Sequence, residues 1–135
     1  MKYLFDSSAI FRAIKENKIE ILTGNFTLEL ARYELGNIIW KEYALQAKIS
    51  NQESKTLVKA IKHTLNIMDV LGVAGSEEEI LDTAIHLKIT FYDAAYAHFA
   101  KAKELHLITE DSRLIKKTTP TINASTLDYT EQNCK

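Results

Sequence analysis

Two short apolar runs lie near opposite ends of the chain, Tyr3-Leu4-Phe5 and Leu107-Ile108-Thr109, and each stops at or just before an aspartate, Asp6 and Asp111. Runs of this length suit strands, whereas the residues between them follow a helical period. Ser7 or Ser8 can cap a helix from Ala9 to Asn17, in which Ile10, Phe11 and Ile14 recur at helical spacing. From Lys18 to Thr27, Ile19, Ile21, Leu22 and Phe26 surround Gly24-Asn25, a turn between short extended pieces. Leu30, Ala31, Leu35, Ile38, Ile39 and Tyr43 then trace one face of a long helix from about Leu28 to Lys48, with Glu34 inside it. Ser50 and Glu53 form a capping box opening the next helix, whose stripe is Leu57, Val58, Ile61, Leu65 and Met68 and whose stop is Gly72. Ser76 precedes Glu77-Glu78-Glu79, three acids well placed in the positive first turn of a helix that runs to Leu87. A small-residue-rich helix from Tyr92 to Glu104 carries Asp93 at its start, Ser112 to Lys117 makes a short helix before Pro120, and Thr121 to Ala124 is a last strand.

Short strands alternating with helices predict an α/β fold, because parallel neighbours need a long crossover and the crossover helices cover both faces of the sheet. Ligand sites in such folds lie beyond the carboxyl ends of the strands, where Asp6 and Asp111 fall. The 135 residues fit a single domain over residues 1–127, with 128–135 read as a flexible tail. Cys134 has no second cysteine to pair with, which favours a reducing compartment and an inert tail thiol. Asp6 interrupts the first apolar run before a signal-peptide core can form, and no apolar stretch reaches membrane-spanning length, so the expectation is a cytoplasmic protein with no membrane association. A net charge of -1 argues against a bulk electrostatic grip on nucleic acid and leaves local basic groups, with Arg12, Lys15, Arg113 and Lys116 as candidates for phosphate contacts.

Four acids, Asp6, Glu34, Asp93 and Asp111, stand where strand ends and helix starts can bring them together. Ionised carboxylates drawn to about 4 Å repel by roughly 4 kcal/mol per pair at an effective dielectric of 20, so a cluster of them calls for a cation. Carboxylates and water suit Mg2+ or Mn2+, which can activate a water and neutralise charge on a phosphodiester. Taken singly, each acid has a blander reading: Asp6 and Asp93 as helix caps, Glu34 as a solvated residue, Asp111 in a turn. Glu110 reads as a solvated acid, Asp82 and Asp128 as surface residues, and the four histidines lack metal-ligand spacing. Trp40, Tyr43 and Ile39 read as core or as a partner-facing patch.

Asp6-Ser7-Ser8-Ala9, Glu34-Leu35 within a helix, Tyr92-Asp93-Ala94-Ala95-Tyr96-Ala97 and Leu107-Ile108-Thr109-Glu110-Asp111-Ser112-Arg113-Leu114 resemble the four acidic motifs of PIN-domain nucleases, especially VapC-type toxins, over residues 1–124. The resemblance implies an α/β/α sandwich around a central, mainly parallel sheet of about four or five short strands. It further implies Mg2+- or Mn2+-dependent cleavage of RNA, a homodimer and a protein antitoxin. Carried onto this chain, it makes Asp6, Glu34, Asp93 and Asp111 both catalytic and metal-binding, with the Ser7 hydroxyl supporting them from behind. The alternative is a noncatalytic nucleic-acid- or protein-binding module of the same fold, although all four acids are present. A phospho-acceptor role for Asp6 loses ground, because no second aspartate follows two residues on and no acid pair follows the first strand.

Overall fold

The computed structural model describes residues 2–133. Five strands, β1 (Tyr3–Phe5), β2 (Phe26–Leu28), β3 (Asp69–Leu71), β4 (His106–Ile108) and β5 (Ala124–Ser125), form one sheet in the order β3-β2-β1-β4-β5. Every pairing is parallel, with Leu4 opposite both Phe26 and Leu107. Seven helices fill the crossovers and the end of the chain: α1 (Ser7–Lys15), α2 (Leu30–Trp40), α3 (Asn51–Asn66), α4 (Glu77–Leu87), α5 (Phe91–Ala102), α6 (Ser112–Thr118) and α7 (Leu127–Gln132).

The central strands are buried on both faces, and alternate residues feed two cores. Tyr3, Phe5 and Ile108 pack with Ile10 of α1, Leu35 and Ile39 of α2, Ile61 and Leu65 of α3 and Leu127 of α7. Leu4 and Leu107 face the other way, onto Ile80 of α4, Tyr96 and Phe99 of α5 and Leu114 of α6. Each fully buried Leu, Ile or Phe contributes roughly 1.5–3 kcal/mol, so a strand of three residues holds its place by packing on both sides. Along α5 the small Ala94, Ala95, Ala97 and Ala100 are all buried. The helix therefore lies close against the sheet.

Sheet order places β1 and β4 side by side, with the chain winding outward from them in opposite directions: β2 and β3 follow β1, and β5 follows β4. The carboxyl ends of β1 and β4 thus flank the reversal of strand order, where doubly wound sheets open a crevice. The Asp6 amide donates to the Ile108 carbonyl at 3.0 Å and fastens the two ends together.

Several local expectations change. Asp6, not Ser7 or Ser8, caps α1, because its carboxylate reaches the Ala9 amide while Ser7 is already helical. Ile19–Leu22 is a 3-10 turn rather than extended. The long helix ends at Trp40 and passes into a π-helical turn at Lys41–Leu45. Residues assigned to the end of α3 instead make β3, an edge strand whose Asp69 is exposed and so lacks the apolar signature of β1. The last strand forms at Ala124–Ser125. Residues 128–132, read as tail, continue α7, in which Leu127 and Thr130 are buried. Cys134 lies outside the described residues. Among the described residues no helix is long and apolar enough to cross a membrane.

Candidate active site

Each of the four acids owes its place to a different element. Asp6 follows β1 directly and is buried, its Oδ1 accepting hydrogen bonds from the Ala9 amide at 3.0 Å and the Ser8 hydroxyl at 2.6 Å. Burial nevertheless raises its pKa to about 6, against the opposing pull of Ser8, Thr109 and the Ala9 amide, and the negative charge of Glu34 raises it further. Glu34 sits on α2, whose Ala31, Leu35 and Ile39 turn into the core and leave Glu34 half-buried. The hydroxyl of Tyr96, a fully buried residue of α5, donates to Glu34 Oε1 at 2.9 Å, and Ser7 supplies a second hydrogen bond.

Asp93 lies in the first turn of α5, where its amide donates to the capping Thr90 hydroxyl at 3.0 Å. Burial and then repulsion from Asp111 hold its carboxyl above the ordinary range. Burial, followed by repulsion from Asp93, does the same to Glu34. Asp111 caps α6, accepting from the Arg113 amide at 3.0 Å and the Leu114 amide at 3.3 Å, while its own amide donates to Thr109 Oγ1 at 3.1 Å. The acids are therefore joined in series by mutual repulsion: Asp6 with Glu34, Glu34 with Asp93, Asp93 with Asp111. Among the described residues, no three Asp, Glu, His or Cys side chains are gathered closely enough to hold a metal ion as they stand. The donor chemistry still fits a hard divalent cation, being all oxygen and electrostatically unsatisfied.

Ser7 serves Glu34, and the hydroxyl behind Asp6 is that of Ser8, which the sequence offers only as a helix cap. Tyr96 is not among the residues the sequence singles out; it is the buried one of the two tyrosines in the Asp93 motif, Tyr92 being exposed. Glu110 is no solvated acid: Oε1 accepts from Arg12 Nη1 at 2.8 Å, Oε2 from the Leu127 amide at 2.8 Å, and its amide donates to Ser8 Oγ at 2.9 Å. Arg12 also binds Asp128 at 2.6 Å and Glu16 at 2.8 Å, so its guanidinium is occupied by carboxylates. Lys15 leans on Glu42 at 3.7 Å. On the other side, Arg113 and Lys117, rather than Lys116, line a cavity with Asp93 and Asp111. Ile39 is buried, whereas Trp40 and Tyr43 are exposed on a groove between α2 and α3. His106 stacks on Tyr129 at 4.4 Å, far from a ligand role.

No family model matches the chain. Two proteins of Pyrobaculum aerophilum do: exonuclease VapC9 is 33% identical over 129 residues, covering 94% of this chain and 93% of that protein. Ribonuclease VapC3 is 29% identical over 91 residues, 67% of this chain and 69% of that one. Among solved structures, PAE2754 from the same organism superposes with a TM-score of 0.82 at 27% identity, covering 98% of this chain and 94% of that one. A toxin-antitoxin complex from Klebsiella pneumoniae shares the fold at a TM-score of 0.65 and 16% identity, over 93% and 97% of the two chains.

Proposed function

The chain belongs to the VapC-type family of PIN-domain nucleases, and on that footing we propose that it is a divalent-metal-dependent ribonuclease, the toxin of a toxin-antitoxin pair. The observation that carries the reading is the series of four repelling carboxylates, delivered by four elements to the crevice beyond β1 and β4. Repulsion of this kind costs stability unless a cation offsets it, and a chain that keeps it does so for binding. Asp6, Glu34, Asp93 and Asp111 would hold Mg2+ or Mn2+. When bound, such an ion lowers the pKa of a water and offsets charge on a phosphodiester.

The protein's own residues prepare the site. Ser8 and the Ala9 amide fix the Asp6 carboxylate, Tyr96 and Ser7 fix Glu34, and the amides of Arg113 and Leu114 fix Asp111. Glu34, half-buried and held above the ordinary carboxyl range, is suited to orient a water or take its proton as it attacks the phosphorus in line. The name of VapC3 supports RNA as substrate. An antitoxin is supported by the complexes among the structural neighbours, and the exposed Trp40, Tyr43 and Val58 offer it an apolar surface. Cytoplasmic location and pairing of two copies complete the proposal; light scattering measures the pairing.

The test is cleavage of a mixed panel of structured RNAs in Mn2+, Mg2+ or EDTA, with Asp6→Asn prepared alongside. The proposal expects cleavage with either ion, none in EDTA and none by the variant. Equal cleavage by wild type and variant would remove the acids from the mechanism, and RNA bound without cleavage in any lane would favour the noncatalytic module.

A further inference from the structure

Beside the acids lies a cavity of about 340 Å³ with two chemically opposed walls. Asp93 and Asp111 form one; Lys88, Arg113 and Lys117 form the other. The basic wall is built from two separate elements, the loop between α4 and α5 and the helix α6. They are tied together, since Lys117 Nζ donates to the Lys88 carbonyl at 2.9 Å. Lys88 itself ends α4 in the left-handed conformation, φ 57°. Two residues on, Thr90 caps α5, so the loop is pinned at both ends.

None of these cations is neutralised by a carboxylate among the described residues. The ion pairs among the described residues use Arg12, Lys15, Lys18 and Arg32, and none uses Lys88, Arg113 or Lys117. Arg113 is the telling case. Its backbone amide bonds Asp111 and its side chain shares the cavity with Asp93 and Asp111, yet its guanidinium pairs with neither. An arginine left unpaired next to carboxylates has its fork free for an external anion, and a phosphodiester, with two non-bridging oxygens, accepts a guanidinium bidentately.

We propose that the basic wall is a phosphate subsite of the nuclease, in which Arg113, with Lys88 and Lys117 adding positive charge to the same cavity, holds the phosphodiester adjacent to the one at the acids. The inference rests on the nuclease reading and deepens it. Acids hold the reacting phosphate through a cation, and the basic wall holds its neighbour directly. A strand of nucleic acid is thereby fixed in direction across the site. A cavity of this size takes one backbone unit. Contacts to phosphate fix register without reading bases, and the subsite therefore serves all sequences alike.

Anisotropy titrations of short single-stranded RNAs of several sequences, with Mg2+ present and the full-length chain in the Asp6→Asn background, test this with and without Arg113→Gln. The subsite predicts a loss of about tenfold in affinity, uniform across sequences, with the log-log salt slope shallower by about one and with Arg113→Lys recovering part of the loss. Replacing single phosphates by neutral methylphosphonates should find one position that costs affinity with Arg113 present and nothing with Arg113→Gln. Lys62→Gln, on the exposed side of α3, is the control for loss of any one positive charge. Unchanged affinity and slope in Arg113→Gln would overturn the subsite, as would an equal loss in the Lys62 variant. If wild type cleaves RNA in Mn2+ while Arg113→Gln matches it in every titration, the subsite alone falls; if wild type neither cleaves nor binds RNA, the nuclease reading falls and takes the subsite with it.

Discussion

Arg12 and Arg113 stand on opposite flanks of the same acidic crevice and have opposite surroundings. On the Asp6 flank, Arg12 is shared among Glu16, Glu110 and Asp128, Glu110 also takes the Leu127 amide, and Lys18 pairs with Glu16 and Glu131. This network binds α7 to α1 and to the loop that carries Asp111. Through the Glu110 amide and the Ser8 hydroxyl it reaches Asp6 itself. On the Asp111 flank the acid is exposed, and its neighbours Lys88, Arg113 and Lys117 have no ion pair among the described residues. One flank is closed and serves the fold; the other is open and serves a ligand. Proximity to a site does not assign a role to a basic residue, whereas the state of its charge does.

The largest effect that would sharpen this contrast belongs to Asp6. Its proton is held to about pH 6 in the folded protein against an ordinary value of 3.8, so between those values the folded state carries more protons than the unfolded and stability falls as pH rises. The full penalty above pH 6 is about 3 kcal/mol in the absence of a divalent ion. Glu34 and Asp93, also raised, add with the same sign. Urea titrations in EDTA from pH 4 to 7 should show this decline, and Asp6→Asn, which keeps a capping oxygen, should flatten most of it and unfold later than wild type at pH 7. A slope unchanged by the substitution would mean that Asp6 is not strained by burial.

Next in size comes the clamp. Arg12→Ala leaves Glu110 half-buried without its cation and should cost about 1–2 kcal/mol, seen as a lower denaturation midpoint, the partial exposure of these pairs keeping the figure modest. Arg113→Gln should leave stability within about 0.5 kcal/mol. If the two substitutions destabilise equally, the flanks do not differ. A further effect, smaller than that of the clamp, is expected from Tyr96→Phe, which removes one hydrogen bond to Glu34 and should cost about 1 kcal/mol while lowering kcat about tenfold with KM unchanged.

The strands that mattered most to the site were also the most legible. Tyr3-Leu4-Phe5 and Leu107-Ile108 lie at the centre of the sheet, buried on both faces, and unbroken apolar runs report that environment. β3 sits at the edge with an exposed Asp69, so its pattern merges with the end of α3. The sequence places Asp93 at a helix start and Asp111 after a strand, and the structure makes Asp111 the cap of α6. The partners of the acids were out of reach. Ser8 and Glu110 are about a hundred residues apart in sequence, as are Arg12 and Glu110, and only the adjacency of β1 and β4 makes them neighbours. Lys116 and Lys117 differ by one step of about 100° around a short helix, an angle that a sequence without neighbours cannot fix. Residues 128–132 lack a long apolar stripe, and what holds α7 is Leu127 in the core together with charges supplied by α1.

The central claim is that the four acids act as one site completed by a divalent ion. Thermal unfolding of the metal-free protein at pH 7 during a titration with Mn2+ addresses it most directly. At a hundredfold excess over the dissociation constant, binding adds about 2.7 kcal/mol to the folded state. Wild type should therefore melt several degrees higher, and Asp6→Asn and Asp111→Asn should each lose most of that gain. No shift in wild type at millimolar Mn2+, or the same shift in all three proteins, would contradict the account.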